Sequence, residues 1–238
     1  MQHIRYSRII PATLLSLMLA AGLFTLTIVN SQTRTPSQSS NGSAKQSFAA
    51  IPSGAYAVDP AHSSINFSIR HMMINNVRGR FNDFAGTILY DDSDITKSSV
   101  EFTVKVASIN TDVAPRDEHL RKADFFDAAK HPEMTFKSKR IERRGRDSYV
   151  AIGDFTLRGV TKEIALPFKL FGAIKDNRGA RIGVEAATTI NRQDYGVSWS
   201  RTMDGGGLTV ANEVTVELML EAVMRESAKP GATPSNTR

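Results

Sequence analysis

The chain has 238 residues, 41% hydrophobic and 23% charged, enough apolar content for one globular domain with a sizeable core. Of its formal charge of +6, four units are Arg5, Arg8, Arg34 and Lys45 in an acid-free stretch, so +6 less these leaves +2 for everything after residue 50. So small and dispersed a surplus excludes the clustered basic surface that nucleic acid needs, and the absence of cysteine excludes disulfides and thiolate metal sites.

At the N-terminus, Arg5 and Arg8 precede the uncharged run Ile9–Val29. Charge followed by an apolar run marks residues 1–29 as an export signal. The run is longer than a usual cleavable core and about long enough to cross a bilayer as a helix. Ala20-Ala21-Gly22 and Val29-Asn30-Ser31 both offer small residues for cleavage, so removal and retention as a membrane tether through residues 9–29 are both open. In either case the flanking arginines put the rest of the chain outside the cytoplasm. Residues 30–55, rich in Ser, Thr, Gln and Pro, read as a flexible linker. Residues 225–238, with Pro230, Gly231 and Pro234, read as a disordered tail, which leaves 56–224 as the folded domain.

Within that domain the dominant signal is alternation with period two. Ile65, Phe67 and Ile69 share one face of a first strand; Val100, Phe102, Val104 and Val106 share one face of another. Ile164, Leu166, Phe168 and Leu170 repeat the scheme, as do Val214, Val216, Leu218 and Leu220 in the last run. Further strands are expected in FAGTILYD, YVAIGDFTL and RIGVEAATTI, with turns at Gly79, Gly145, Gly159 and Gly179. About eight half-apolar strands predict an all-β protein, an antiparallel eight-stranded barrel, because closure leaves no edge and can keep an interior wide enough for a small ligand. One short helix is expected near residues 116–129, where Pro115 precedes a charged turn and Leu120, Ala123 and Phe126 fall at helical spacing; His131-Pro132 stops it.

Five ordered blocks, VDPAHSSINFSIRHM (58–72), VRGRFNDFAGTI (77–88), SINTDVAPRDEHLRKADFFDAAKHPEMTF (108–136), GDFTLRGVTKEIALP (153–167) and INRQDYGVSW (190–199), resemble the YceI-like proteins of bacterial periplasms. Tyr56 stands where that family often has tryptophan, a change that keeps a large aromatic. The resemblance spans about Tyr56 to Ala222. It implies a lipocalin-like barrel with an elongated apolar pore, a bound polyisoprenoid or similar amphiphilic lipid, no cofactor, and a periplasmic location.

The charged block 116–119 admits a second, enzymatic reading, an acid-base or metal-dependent site using Arg116, Asp117 and His119. Against it, Asp117 and His119 are two apart and do not face each other on a helix. The structural alternative has Arg116 and Asp117 tying the loop to a neighbouring strand or capping the helix. His62 and His71 are nine apart on one candidate strand and point to opposite faces, so no metal site is expected; a hydrogen bond in the turn after Asp59-Pro60 accounts for His62. Apolar side chains without paired titratable groups suit a hydrocarbon site. The expected pore lining is Phe67, Ile69, Phe81, Phe84, Phe102, Val104, Phe136, Phe155, Phe168 and Trp199, with Arg80, His71, Arg116 and His119 at the mouth. The aromatics among them suit a packed interior equally well, and the chain alone leaves a homodimer open.

Overall fold

The computed structural model describes residues 50–225, apart from 177, 178, 203, 205 and 207. The expected signal or anchor (1–29), most of the linker and the tail beyond Arg225 lie outside the described residues. No helix among the described residues is long and apolar enough to cross a membrane.

The strands are β1 (Gly54–Val58), β2 (Ser64–His71), β3 (Asn75–Phe81), β4 (Phe84–Tyr90), β5 (Ser99–Lys105), β6 (Ile109–Asn110), β7 (Glu133–Arg143), β8 (Ser148–Leu157), β9 (Val160–Asp176), β10 (Gly179–Asn191) and β11 (Val210–Met224). Eleven segments make eight staves, because three staves are broken. The first half of β11 pairs with β2 and its end with β1, so β1 and β2 run as one interrupted stave along β11. In the same way β3 and β4 lie along β2 and β1, and β6 and β5 lie along β3 and β4. The unbroken strands β7 to β11 follow in chain order, each antiparallel to the last, and the β1–β11 pairing closes the barrel. Sequential antiparallel neighbours need only tight connections, and closure pairs the edges except where the two-residue β6 leaves most of β3 uncovered.

The break between β1 and β2 has a local cause. Asp59-Pro60 starts a single 3-10 turn, Pro60–His62, in which the Asp59 carboxylate accepts from the Ala61 N–H at 3.0 Å and contacts His62 Nδ1 at 2.9 Å. The stave is held to β11 across the gap, the Asp59 N–H donating to Glu221 O at 2.8 Å and the Ser63 hydroxyl accepting from the Glu221 N–H at 2.9 Å. Behind the turn the buried Arg181 guanidinium sits among Asp59, Asp176 and Glu221. Asp59, His62 and Glu221 bring their ligand atoms together, yet Arg181 already holds two of those carboxylates. A cation in the middle makes this an ion-pair lock.

The one α-helix among the described residues, α1 (Ala114–Arg121), begins two residues before the expected start and ends eight before the expected end. Lys122 leaves the helical region with ψ of 170°, and residues 122–131 continue as hydrogen-bonded turns with Asp127 at φ of 50°. The break lets Phe125 and Phe126 turn inward together, which a straight helix would prevent. α1 and these turns replace a strand beside β3, whose Arg80 and Phe81 alone find partners in β6. They are bolted in place by Arg121, which donates to Ala107 O and Ile109 O at 2.8 and 2.9 Å, and by Arg158, which donates to Ala123 O at 2.8 Å. The strand wall starts at Gly54, two residues ahead of the expected domain boundary.

Candidate functional site

The inward faces of the eight staves enclose an elongated cavity of about 240 Å³. Its wall runs from Tyr90, Ile95 and Ser98 at one end to Ile69, Arg192, Val197 and Val210 at the other. Period-two alternation supplies it: Ile65, Phe67 and Ile69 from β2, Val100, Phe102 and Val104 from β5, Ile164 to Leu170 from β9, and Val214 to Leu220 from β11.

Two cross-strand pairs show how large rings leave room. Phe67 lies opposite Gly79 and Phe102 opposite Gly86. A Cβ on either glycine would fall 2.4 Å from the facing ring. Each ring therefore folds flat over a bare stretch of backbone instead of standing into the lumen.

Of the ten residues expected to line the pore, Phe67, Ile69, Phe81, Phe102, Val104, Phe136, Phe155 and Phe168 are on the cavity wall. Phe84 and Trp199 are not. Phe84 is buried against Phe102, ring centroids 6.2 Å apart, and does not reach the lumen. Trp199 lies 5.1 Å from Phe125 and 5.5 Å from His119, so it backs Phe125, which does line the cavity, as an outer layer.

The expected mouth residues divide. His71 ends β2 and pairs with Val210, at the same end of the barrel as α1. Arg80 is instead turned outward, its guanidinium forked onto the exposed Asp112 carboxylate at 3.0 and 3.2 Å. Arg116 donates to Thr111 Oγ1 at 2.7 Å and Thr111 O at 2.8 Å, while buried Asp117 accepts from the Thr111 N–H and hydroxyl at 2.8 and 2.5 Å. Both are spent on clamping the loop after β6. His119 faces away from them, 3.1 Å from Asp124 and edge-on to Phe125 and Trp199. Arg116, Asp117 and His119 therefore do not converge on a common point where a substrate could react.

Among the wall residues outside the expected lining, four stand out. Arg192 is the only charged residue on the wall among the described residues, 4% exposed. It donates to three carbonyls, Ala211 at 2.8 Å, Val197 at 2.6 Å and Val210 at 3.2 Å, and burial pulls its pKa down. Its signal was the lone arginine after the apolar face of β10. Phe125 and Phe126 lie in the charged block whose spacing predicts a helix, and both face the cavity. Tyr90, whose phenol burial pushes up, is the last inward residue of β4.

Fold and site together define a lipocalin-like barrel, a closed antiparallel wall around an oily internal chamber. Comparison with known proteins makes the class specific: residues 56–222 match the YceI-like domain, and the chain belongs to that family. A UPF0312 protein of Vibrio parahaemolyticus is 37% identical over 155 residues, covering 62% of this chain and 82% of that protein. The solved YceI protein of Campylobacter jejuni is 32% identical with a TM-score of 0.59, covering 66% of this chain and 91% of its own. A polyisoprenoid-binding domain of Saccharophagus degradans, 18% identical with a TM-score of 0.55 over 71% of this chain and 98% of its own, shares the fold.

Proposed function

We propose that this protein is a non-enzymatic carrier that holds a polyisoprenoid or similar long-chain amphiphile inside the barrel and works in the periplasm. The observation that carries the reading is the long apolar cavity with a single charged wall residue, Arg192. Hydrocarbon needs no specific contact, since each CH₂ taken out of water contributes about 0.8 kcal/mol. The carbonyl cage around Arg192 limits the cost of its charge, and the guanidinium gives the cavity one polar end. The named ligand class of the Saccharophagus relative supports the choice of a prenyl chain, and the charged-then-apolar N-terminus supports export. No cofactor is needed for this role. The acid-base alternative is disfavoured by the contacts of Arg116 and Asp117 with Thr111.

The test is organic-solvent extraction of protein purified from its native envelope, with mass spectrometry of what is released, followed by titration of the emptied barrel with long-chain prenols. A co-purified lipid, or saturable uptake at one molecule per barrel, is expected. An extract free of lipid together with no uptake refutes the proposal. Osmotic-shock fractionation tests the location, and recovery with the cytosolic fraction would overturn it.

A further inference from the structure

The hairpin joining β2 to β3 is built against the usual rules. Its two central residues, Met72 and Met73, have φ of 49° and 61°, and the Ile74 N–H closes the turn on His71 O at 3.2 Å. The register pairs His71 with Asn75, so the loop has three residues, and its two successive left-handed positions are ones that Asn and Gly fill at least cost. The β8–β9 turn at the same end has the same backbone signs, 51° at Arg158 and 75° at Gly159, and puts a glycine second. Here methionines bear the strain. Met72, Met73 and Ile74 are 44%, 59% and 82% exposed. Strain kept together with three consecutive exposed apolar side chains points to work done outside the fold.

The surroundings say what covers them. Exposed Arg70 and Arg78 flank the tip on β2 and β3, and Arg201 joins them through backbone bonds: Thr209 donates to Arg201 O at 2.9 Å and accepts from the Met72 N–H at 2.8 Å. None of these three arginines has a carboxylate within ion-pair distance among the described residues, and the nearest acid in that loop by sequence is Asp204. On β5 and β7 the basic side chains are paired, as in Lys105–Glu133, Lys137–Glu101 and Lys139–Asp154, whereas Lys169 and Lys175 of β9 have no ion pair among the described residues. An apolar tip flanked by arginines without a carboxylate partner, Arg201 among them lying over the Trp199 ring at 5.9 Å, complements a bilayer with anionic headgroups, into whose interface such side chains insert while arginines meet phosphates. The tip also adjoins the lumen, because Ile69 and Val210, on either side of it, line the cavity.

We propose that Met72, Met73 and Ile74 form a wedge that docks this end of the barrel on an anionic membrane surface, so that an amphiphile passes between bilayer and lumen without crossing water. The inference rests on the carrier reading for its purpose but not for its test. The barrel unit, residues 46–238, is suitable because the Campylobacter relative consists almost wholly of this unit and folds as such; it also omits the apolar N-terminal run. Flotation with phosphatidylcholine vesicles, with and without phosphatidylglycerol, measures docking, and uptake of a prenol from solution measures the lumen.

The parent barrel is expected to float with phosphatidylglycerol vesicles and to be released by salt. Met72→Asn with Met73→Gly installs the preferred turn, so it should melt higher while floating at least about tenfold less. Arg70→Glu with Arg78→Glu should abolish the preference for phosphatidylglycerol. Prenol uptake should be unchanged in all variants. Equal flotation of the Asn-Gly variant and the parent, or no flotation of the parent on either vesicle as expected for a protein-binding tip, overturns the proposal. Tip-dependent flotation without any prenol uptake upholds docking and sinks the carrier reading alone.

Discussion

Replacing Ala186 by leucine separates an open chamber from a solid core. Ala186 is 4% exposed, lies between Phe168 of β9 and Leu218 of β11, and its methyl faces the cavity. Leucine adds three carbons, and burying them contributes about 2.4 kcal/mol at ~0.8 kcal/mol each. Fixing the new side chain costs roughly 0.5–1 kcal/mol of that. In the empty barrel the net gain is about 1.5–2 kcal/mol, and at roughly 2–4 °C per kcal/mol for a domain of this size the melting temperature should rise by about 3–8 °C. The same three carbons take the place of about three ligand methylenes, a loss of about 2.4 kcal/mol, or roughly fifty-fold in Kd. Stability and affinity thus move in opposite directions. Calorimetry of solvent-extracted Ala186→Leu and fluorescence competition with a long-chain prenol read the two quantities. A close-packed interior would instead be overpacked and lose about 1–3 kcal/mol. A lower melting temperature, or unchanged prenol affinity, would refute the chamber.

Three further outcomes follow from the same geometry. Asp117→Ala should cost about 2–4 kcal/mol in urea unfolding, because it leaves the buried Thr111 N–H and hydroxyl without their acceptor; His119→Ala, half exposed, should cost less than about 1 kcal/mol. Neither change should alter prenol uptake, and loss of uptake with unchanged stability would restore a direct role for the block. Gly79→Ala should destabilise by about 1–3 kcal/mol and weaken uptake, since its Cβ would meet Phe67 Cζ at 2.4 Å and Thr111 Cγ2 at 2.8 Å, driving the ring into the lumen; wild-type uptake would contradict this. The hydrogen bond from His62 holds the Asp59 carboxyl below its usual value. A carboxylate depressed in the folded state contributes stability above its unfolded pKa, near 3.9, and the contribution is lost as pH falls through the lower folded value. His62→Ala should therefore lower the urea midpoint at pH 5 more than at pH 2, and an equal drop at both would refute the linkage.

Much of the wall is legible in the sequence because a closed barrel with one apolar side imposes a strict two-residue period. Ile164, Leu166, Phe168 and Leu170, or Val214 through Leu220, can be read inward without any knowledge of their partners. Legibility fails wherever the outcome depends on register. Met134 and Phe136 face the lumen and so does Ile141, a change of parity made by the irregular pairing between Ser138 and Arg140 against β8. A bulge of this kind leaves no mark in the pattern of a single strand. The end of α1 at Arg121 is equally hidden: the spacing of Leu120, Ala123 and Phe126 suits a longer helix, and burial of Phe125 and Phe126 overrides it. Trp199, an aromatic that suits lumen or packed interior alike, is placed in an outer layer by its contact with Phe125.

The same dependence on register decides whether the interior is a plug or a chamber. Composition cannot distinguish them, since the same phenylalanines would fill either. An unfilled apolar void costs roughly 24 cal/mol per Å³, so one of about 240 Å³ costs on the order of 6 kcal/mol, as much as the whole net stability of many domains. Collapse is the cheaper state unless the wall resists it. Two features provide that resistance: the wall closes on itself through the β1–β11 pairing, and the Phe67–Gly79 and Phe102–Gly86 pairs hold the largest rings against the backbone. A chain that pays so much to stay hollow recovers the cost when a hydrocarbon fills the space, which makes ligand occupancy and fold stability two readings of one equilibrium.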